Sequence, residues 1–574
     1  TRLLLEMFFL RVSLMTNRPN LVFVPLGGTG EIGMNCNLYG YGSGDARRDK
    51  GLSDRDWLMI DLGITFGRHH VPGIDVITPD LSFIEQRRAS LKGLILTHGH
   101  EDHIGAVALL WPRLQCPIYT TAFTAELVRG KLAEHGLLDT VPLHVMEMNA
   151  DLDLGPFHLQ FIGLTHSIAE MQSVVIRCGE TTVLHTGDWK FDDAPVIGAA
   201  SNLSALSDLG EAGVDAIICD STNVLQSGRA GSEADVGDAL TELVKKSPGR
   251  VVITTFASNV ARLASVGAAA LATDRQVVLS GRGMHRIFEA ARATGYLENF
   301  PSCVPEQEAG YLPPENTLIL CTGSQGEHRA ALRRMADGSH PHITLGPSDT
   351  VIFSSKMIPG NEVDILELHN DLIRAGVQVL TAQGGDFHVS GHPCRDELMD
   401  MYRRVKPCLA IPVHGEARHL DAHARLAREL GVDHALVIEN GDVVCLDPDD
   451  ARVMGHVPVG RIHMDGHLAV PEDASAASVR RKLSHVGVVS IALAMDAGGR
   501  LCGAPEISLA GLPRHDEDGI LMEDWVREAI DLAVPENGRV TQGRIEQDIS
   551  RQVRRLCVQR WGKKPVIHVL LVAT

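Results

Sequence analysis

Leu94-Ile95-Leu96-Thr97-His98-Gly99-His100-Glu101-Asp102-His103-Ile104-Gly105 is the stretch on which the fold turns. Three apolar residues read as a buried strand, Gly99 lets the backbone turn, and Ile104, Ala106, Leu109 and Leu110 begin a helix. Between strand and helix lie four potential metal ligands, His98, His100, Asp102 and His103, in the pattern H-x-H-x-D-H. Imidazole and carboxylate are donors that zinc and manganese accept, and a strand-to-helix loop can aim them at one point. With 27 histidines in 574 residues, three of them and an aspartate within six positions are too dense for a polar loop. The stretch builds a metal site.

Working outward, other apolar strands also end in polar residues able to bind a metal. Leu159–Leu164 runs into Thr165-His166-Ser167, and Thr181–Leu184 into His185-Thr186-Gly187-Asp188-Trp189. Val214–Cys219 ends in Asp220-Ser221-Thr222-Asn223, and Cys408–Val413 in His414-Gly415-Glu416. Open α/β sheets place their sites at strand ends, so the repetition carries more weight than any one residue. Near the start, Gly28, Gly30 and Gly33 match G-x-G-x-x-G after the strand Leu21–Leu26. The dinucleotide fingerprint needs a helix next; Met34–Gly42 alternates like a strand, so the glycines are expected in the turn of a β-hairpin.

Composition narrows the class. Hydrophobic residues make up 44% and charged residues 22%, as in a globular chain with a large core and room for about three domains. The net charge of -19 argues against a broadly basic nucleic-acid surface but leaves room for a local groove. The eleven cysteines form no C-x-x-C pair, which suggests reduced, buried thiols in a cytosolic protein. Residues 1–14 read as an upstream extension without a targeting role, because Glu6 and Arg11 interrupt the apolar run and Met15 is a natural start. No stretch has the roughly 18 uninterrupted apolar residues of a membrane span.

T-H-G-H-E-D-H-I-G at 97–105, T-H-S at 165–167 and H-T-G-D-W at 185–189 together resemble the metallo-β-lactamase fold. That resemblance implies an α/β αββα sandwich with a dinuclear metal centre. Carried over residue by residue, it implies His98, His100 and His166 around one metal, Asp102, His103 and His414 around the other, and Asp188 bridging. Two divalent ions per chain are expected, zinc first, with manganese or magnesium as alternatives. Such a pair stabilises both the attacking and the leaving oxygen at a phosphodiester.

From Asp220 to His392 the chain alternates strand and helix patterns: Val251–Thr255, a helix from Asn259, Gln276–Ser280, a helix after Met284, Thr317–Cys321 and a helix from Glu327. This extra α/β domain resembles the β-CASP insertion of nucleic-acid-processing members of the superfamily. Asp220 in C-D-S-T-N, His392 in F-H-V-S-G-H and His414 in P-V-H-G-E occupy its motif positions. T-F-A-S-N-V at 255–260, S-G-R-G-M at 280–284, C-T-G-S-Q-G-E at 321–327 and M-I-P-G-N-E at 357–362 are most similar to the ribonuclease J family, over roughly residues 19–460.

The resemblance implies a catalytic set of Asp102, Asp188, Asp220 and His392, with His392 protonating the leaving 3′-oxygen. His388, Ser390 and Gly391 would grip a 5′-terminal phosphate, assisted by Ser324, and Arg282 and Lys356 would hold the RNA backbone. The expected domains are a sandwich over 19–221 and 373–460, a β-CASP insertion over 222–372, a linker over 461–479 and a small α/β C-terminal domain over 480–574, preceded by the extension 1–18. The last domain implies assembly as a homodimer or homotetramer; Arg480, Arg481, Lys482, Arg551, Arg554, Arg555, Arg560, Lys563 and Lys564 give it local positive charge.

The expected function is a cytoplasmic ribonuclease of RNA maturation and decay, 5′-to-3′ exonucleolytic from 5′-monophosphate ends and also endonucleolytic. The alternatives are a β-CASP DNA nuclease, a 3′-end-processing nuclease, or an inactive RNA-binding scaffold. Small-molecule hydrolases of the lactamase fold rank last because they lack the insertion.

Overall fold

The computed structural model describes residues 20–42, 49–67, 71–382, 386–474, 476–498, 500–534 and 542–573. The extension expected over 1–18 lies outside them. The chain divides into two units: residues up to 65 with 78–461, and 66–77 with 462–574.

Two sheets form the body of the first unit. The eight-stranded sheet has the order Arg452–His456, Asp442–Cys445, Asn20–Gly27, Cys36–Gly42, Asp56–Ile60, Leu91–Ile95, Ile118–Thr120, Leu143–Val145. The seven-stranded sheet has the order Asp151–Leu154, Phe157–Gly163, Gln172–Cys178, Thr181–His185, Ala216–Asp220, Leu409–Val413, His434–Ala435. Alternate residues decide which layer each side chain joins. Leu159, Phe161, Val174, Ile176 and Ile218 face Phe23, Leu58, Ile60 and Ile95 of the other sheet in one core. Their neighbours Ile162, Val175, Leu184 and Ile217 pack against Leu206, Leu398, Met401 and Leu426 of three helices. Burial on both faces explains why these strands read as continuous apolar runs.

The G-x-G-x-x-G stretch is a hairpin loop, as expected: Asn20–Gly27 pairs antiparallel with Cys36–Gly42. Beyond His100 the chain first makes a short helix over Glu101–Ile104 and restarts at Val107–Leu114. The break comes where the backbone of Asp102 and His103 accepts hydrogen bonds from Asn35 and Leu62. Gly63 must be glycine there: a Cβ would lie 1.7 Å from the Asp102 carbonyl oxygen.

The insertion is a six-stranded, all-parallel sheet in the order Cys303–Val304, Gln276–Ser280, Thr317–Cys321, Val251–Thr254, Thr350–Phe353, Gln378–Thr381. A buried polar network ties it to the loop that returns to the sandwich. Arg262, fully buried, pairs with Glu233 at 2.9 Å and donates to the backbone oxygens of Ser354 and Phe387. A second tie is made by the Tyr296 hydroxyl, which donates to Glu170, whose other oxygen accepts from the Phe123 amide.

In the second unit Val488–Met495 lies between Leu501–Ala510 and Val566–Ala573, and two helices, Met522–Ala533 and Gln542–Trp561, cover one face. Residues 461–479, expected as a linker, are not bare chain: Arg461–Asp465 and Leu468–Pro471 pair as a hairpin, and a helix starts at Ala477. Pro471-Glu472-Asp473 marks the end of an edge strand, a signal that in sequence looks like a linker. The grouping of 66–77 with this unit had no sequence signal, because a short excursion shifts no composition.

Removing one partner of a buried ion pair strands the other charge. Arg262→Met keeps most of the volume and should destabilise the insertion by roughly 3–5 kcal/mol, read as a lower urea midpoint. An unchanged midpoint would show that Glu233 finds another partner.

Candidate metal centre

The loops at the C-terminal ends of the strands bring all seven expected ligands together. His98, His100 and His166 form one group whose ligand atoms lie within 4.8 Å of one another; Asp102, His103, Asp188 and His414 form a second. In the first, His100 Nδ1 is 3.1 Å from His98 Nε2 and 3.0 Å from His166 Nε2. Burial and the neighbouring imidazoles hold His98 and His166 well below the usual histidine range, and His100 is lowered to about 4. Neutral rings with three nitrogens converging on one point suit a cation: tetrahedral zinc with its usual bond lengths sets nitrogens ~3.3 Å apart.

In the second group His103 Nε2 lies 3.1 Å from Asp188 Oδ2, and His414 Nε2 lies 3.3 Å from Asp102 Oδ2. Asp188 Oδ2 is also 3.9 Å from His98 Nε2, so this carboxylate stands between the two groups. Burial alone would raise the Asp188 carboxyl, but His414 and His103 overturn that and keep it a carboxylate far below its usual range. Asp102 is lowered against its burial too, chiefly by His103 and His414. The donor set fits two divalent ions that share Asp188.

Behind the donors is a layer of supports. Asp61 accepts from Thr97 N–H at 2.8 Å and the Thr97 hydroxyl at 2.9 Å, and lies 2.7 Å from His103 Nδ1. It thereby fixes the His103 ring, whose Nε2 points into the site. Thr97 Oγ1 also reaches His98 Nδ1 at 3.0 Å. His166 Nδ1 is 2.6 Å from the Gly391 carbonyl oxygen. A Cβ at Gly391 would meet Ser167 Oγ at 2.7 Å and His166 Cε1 at 2.8 Å, so glycine is required. Thr222 donates to Asp220 and lies 3.0 Å from His414 Nδ1. The sequence analysis did not single out Asp61, which directly follows the strand Asp56–Ile60. It obeys the same strand-end pattern as Asp188 and Asp220, and that was the available signal. Asn35, whose amide reaches both the Asp102 oxygen and His103 Nε2, gave none.

Asp220 and His392 join the cluster at its open side. His392 Nδ1 is 2.8 Å from Asp220 Oδ2, and the His392 ring stacks on His414 with centroids 5.4 Å apart. Burial would lower His392, but the Asp220 and Asp188 carboxylates reverse this and raise it. Asp188, Asp220, His392 and His414 also lie within 4.8 Å of one another.

The loop before His392 carries the expected phosphate-binding residues. His388 is pushed down to about 3 by burial and by Arg262, Lys356 and Lys190, and its buried Nδ1 has no partner. Ser390 Oγ accepts from Asn223 Nδ2 at 2.7 Å and the His392 amide at 3.2 Å, so its own proton is free to donate. Lys356 is exposed on a loop that Gln325 holds by donating to its carbonyl. Ser324 is buried beside Gln325, and Arg282 is exposed at the start of the Arg282–Ala293 helix. Neither joins the hydrogen-bonded cluster among the described residues.

Comparison with known proteins agrees with this geometry. Ribonuclease J of Sinorhizobium meliloti is 41% identical over 560 residues, covering 97% of this chain and 98% of that protein. The chain belongs to the ribonuclease J family. Ribonuclease J of Mycolicibacterium smegmatis is 36% identical over 94% of this chain and 95% of its own length, and ribonuclease J 1 of Streptococcus pyogenes 35% over 96% and 98%. Family models match part by part: the metallo-beta-lactamase superfamily over 52–254, the ribonuclease J beta-CASP domain over 248–372, the Zn-dependent metallo-hydrolase RNA specificity domain over 382–437 and the ribonuclease J C-terminal domain over 478–574. Among the described residues no helix is long and apolar enough to cross a membrane.

In this family member Asp61 has no room to contact substrate, so its effect passes through His103. Asp61→Asn should weaken metal affinity about 10- to 100-fold in competition against a chelator, with the circular dichroism spectrum unchanged. Undiminished affinity would remove Asp61 from the account.

Proposed function

We propose that the chain is a metal-dependent ribonuclease that hydrolyses RNA phosphodiester bonds, running 5′-to-3′ from 5′-monophosphate ends and also cutting internally. The carrying observation is the convergence of seven donors from four separate strand ends with the His392–Asp220 pair beside them. The unpartnered Nδ1 of His388 and the free Ser390 proton, with the Lys356 ammonium nearby, support the phosphate reading.

In this reading His98, His100 and His166 hold one divalent ion and Asp102, His103 and His414 the other, with Asp188 shared. Zinc suits the imidazole-rich set best, and manganese or magnesium are the alternatives. When bound, the pair supplies an activated water and charge stabilisation at the phosphate oxygens. The protein's own part is positioning and proton transfer. Asp61 and Gly391 orient the His103 and His166 rings. Asp220 keeps His392 protonated, and His392 delivers that proton to the leaving 3′-oxygen. Ser390, Gly391 and His388 hold the terminal phosphate and so set the cut one nucleotide in, while Arg282 and Lys356 steady the backbone and Ser324 supports the loop.

The remaining proposals concern setting. The open face of the C-terminal sheet leaves Leu570 60% and Val572 56% exposed, which supports a homodimer or homotetramer assembled through this domain. All eleven cysteines are free, in keeping with a cytoplasmic enzyme.

One labelled RNA bearing a 5′-monophosphate, 5′-triphosphate or 5′-hydroxyl tests the end preference. Mononucleotides should be released rapidly from the first and slowly from the others; equal internal cutting of all three would remove the roles of His388 and Ser390, and turnover of DNA alone would favour the nuclease alternative. His392→Ala should lower kcat about 10²- to 10⁴-fold while metal content stays at the wild-type value. Loss of metal instead would make His392 a ligand.

A further inference from the structure

Charge in the C-terminal unit is sharply segregated. Residues 544–564 hold seven basic and two acidic side chains, whereas 516–531 hold seven acidic and one basic. The Gln542–Trp561 helix buries Ile545, Ile549, Val553, Leu556 and Cys557 against its sheet. That orientation turns Arg551, Arg554, Arg555 and Val558 to solvent, and together with Gln559 they line a shallow groove of about 460 Å³. At spacings of three and four residues these side chains are neighbours on one face. Arg551 is engaged with Asp548 and Arg560 with Glu528. Among the described residues Arg554 and Arg555 have no carboxylate partner. Adjacent like charges weaken a helix, so this face is electrostatically unfavourable until an anion covers it.

We propose that the Arg551, Arg554 and Arg555 face binds the sugar-phosphate backbone of the RNA, as a docking surface separate from the residues of the metal centre. The proposal rests on the ribonuclease reading above. Guanidinium forks match phosphate oxygens in pairs. A chain of net charge -19 repels a polyanion at long range, so a long RNA kept bound through successive cuts needs positive charge gathered locally. The competing occupant is an acidic protein surface, such as the 516–531 segment of a second copy. RNA is favoured because Glu528 of that segment is already paired within its own chain, and Asp516 closes its own turn by accepting from the Asp518 and Ile520 amides.

The test uses the full-length, metal-loaded chain and its R551A/R554A/R555A variant, with a hydrolysis-resistant phosphorothioate RNA followed by fluorescence anisotropy across a salt series. The variant should bind a long single strand about tenfold or more weakly at low salt, with the slope of log affinity against log salt shallower by roughly 2. Cleavage of a short oligonucleotide should be unchanged, and the triple Arg→Lys variant should recover most of the slope. An unchanged slope and affinity, with wild type cleaving RNA normally, would overturn the docking surface alone. A lower sedimentation mass with RNA affinity intact would assign the face to a second copy and equally overturn it. Wild type that neither binds nor cleaves RNA would instead sink the ribonuclease reading on which the proposal rests.

Discussion

Buried imidazoles and carboxylates can coexist only if each charge is balanced where it stands. Isolated, any one of them would be driven to its neutral form by loss of water. Here His103 and His414 hold Asp102 and Asp188 as carboxylates, while His98, His100 and His166 stay neutral beside them. The result is one half of neutral imidazoles and another in which carboxylates pair with His103 and His414, rings whose protons a metal ion would displace, with Asp188 at the junction. The donor set, once those two protons are displaced, suits two divalent cations, and the surrounding fold reads as the means of holding it in place.

Enforcement comes from the groups behind the ligands, side chain and backbone alike. Asp61 fixes His103, the Gly391 carbonyl fixes His166, and the amide of His414 donates to Gly28 of the hairpin loop at 2.7 Å. The insertion participates through the Arg262–Glu233 pair, which grips the Phe387 carbonyl just before His388. One loop therefore links three things: the oxygen that orients a ligand, the candidate proton donor and the candidate phosphate cradle. Moving the insertion would move all three.

Much of this was legible in the chain. The 98–103 motif announces itself because its donors are contiguous, and the remaining donors because each closes an apolar strand. The insertion showed through its alternation of strand and helix patterns. The supports were harder to read. Asn35 and Thr222 are ordinary polar residues until the fold places them beside a ligand, and Gly63 and Gly391 are defined by what a Cβ would strike. The hairpin at 461–471 was mistaken for a linker because its strands are short and half exposed. The excursion at 66–77 had no local signature, since its allegiance is set by partners far away in sequence.

The central claim is that donors from four strand ends hold two metal ions and not one. Anomalous diffraction from crystals of the metal-loaded protein tests it most directly. The account predicts two peaks per chain roughly 3.5–4 Å apart, one among His98, His100 and His166 and the other among Asp102, His103 and His414, with Asp188 between them. A single peak at full occupancy, or a second one placed away from Asp188, would contradict it.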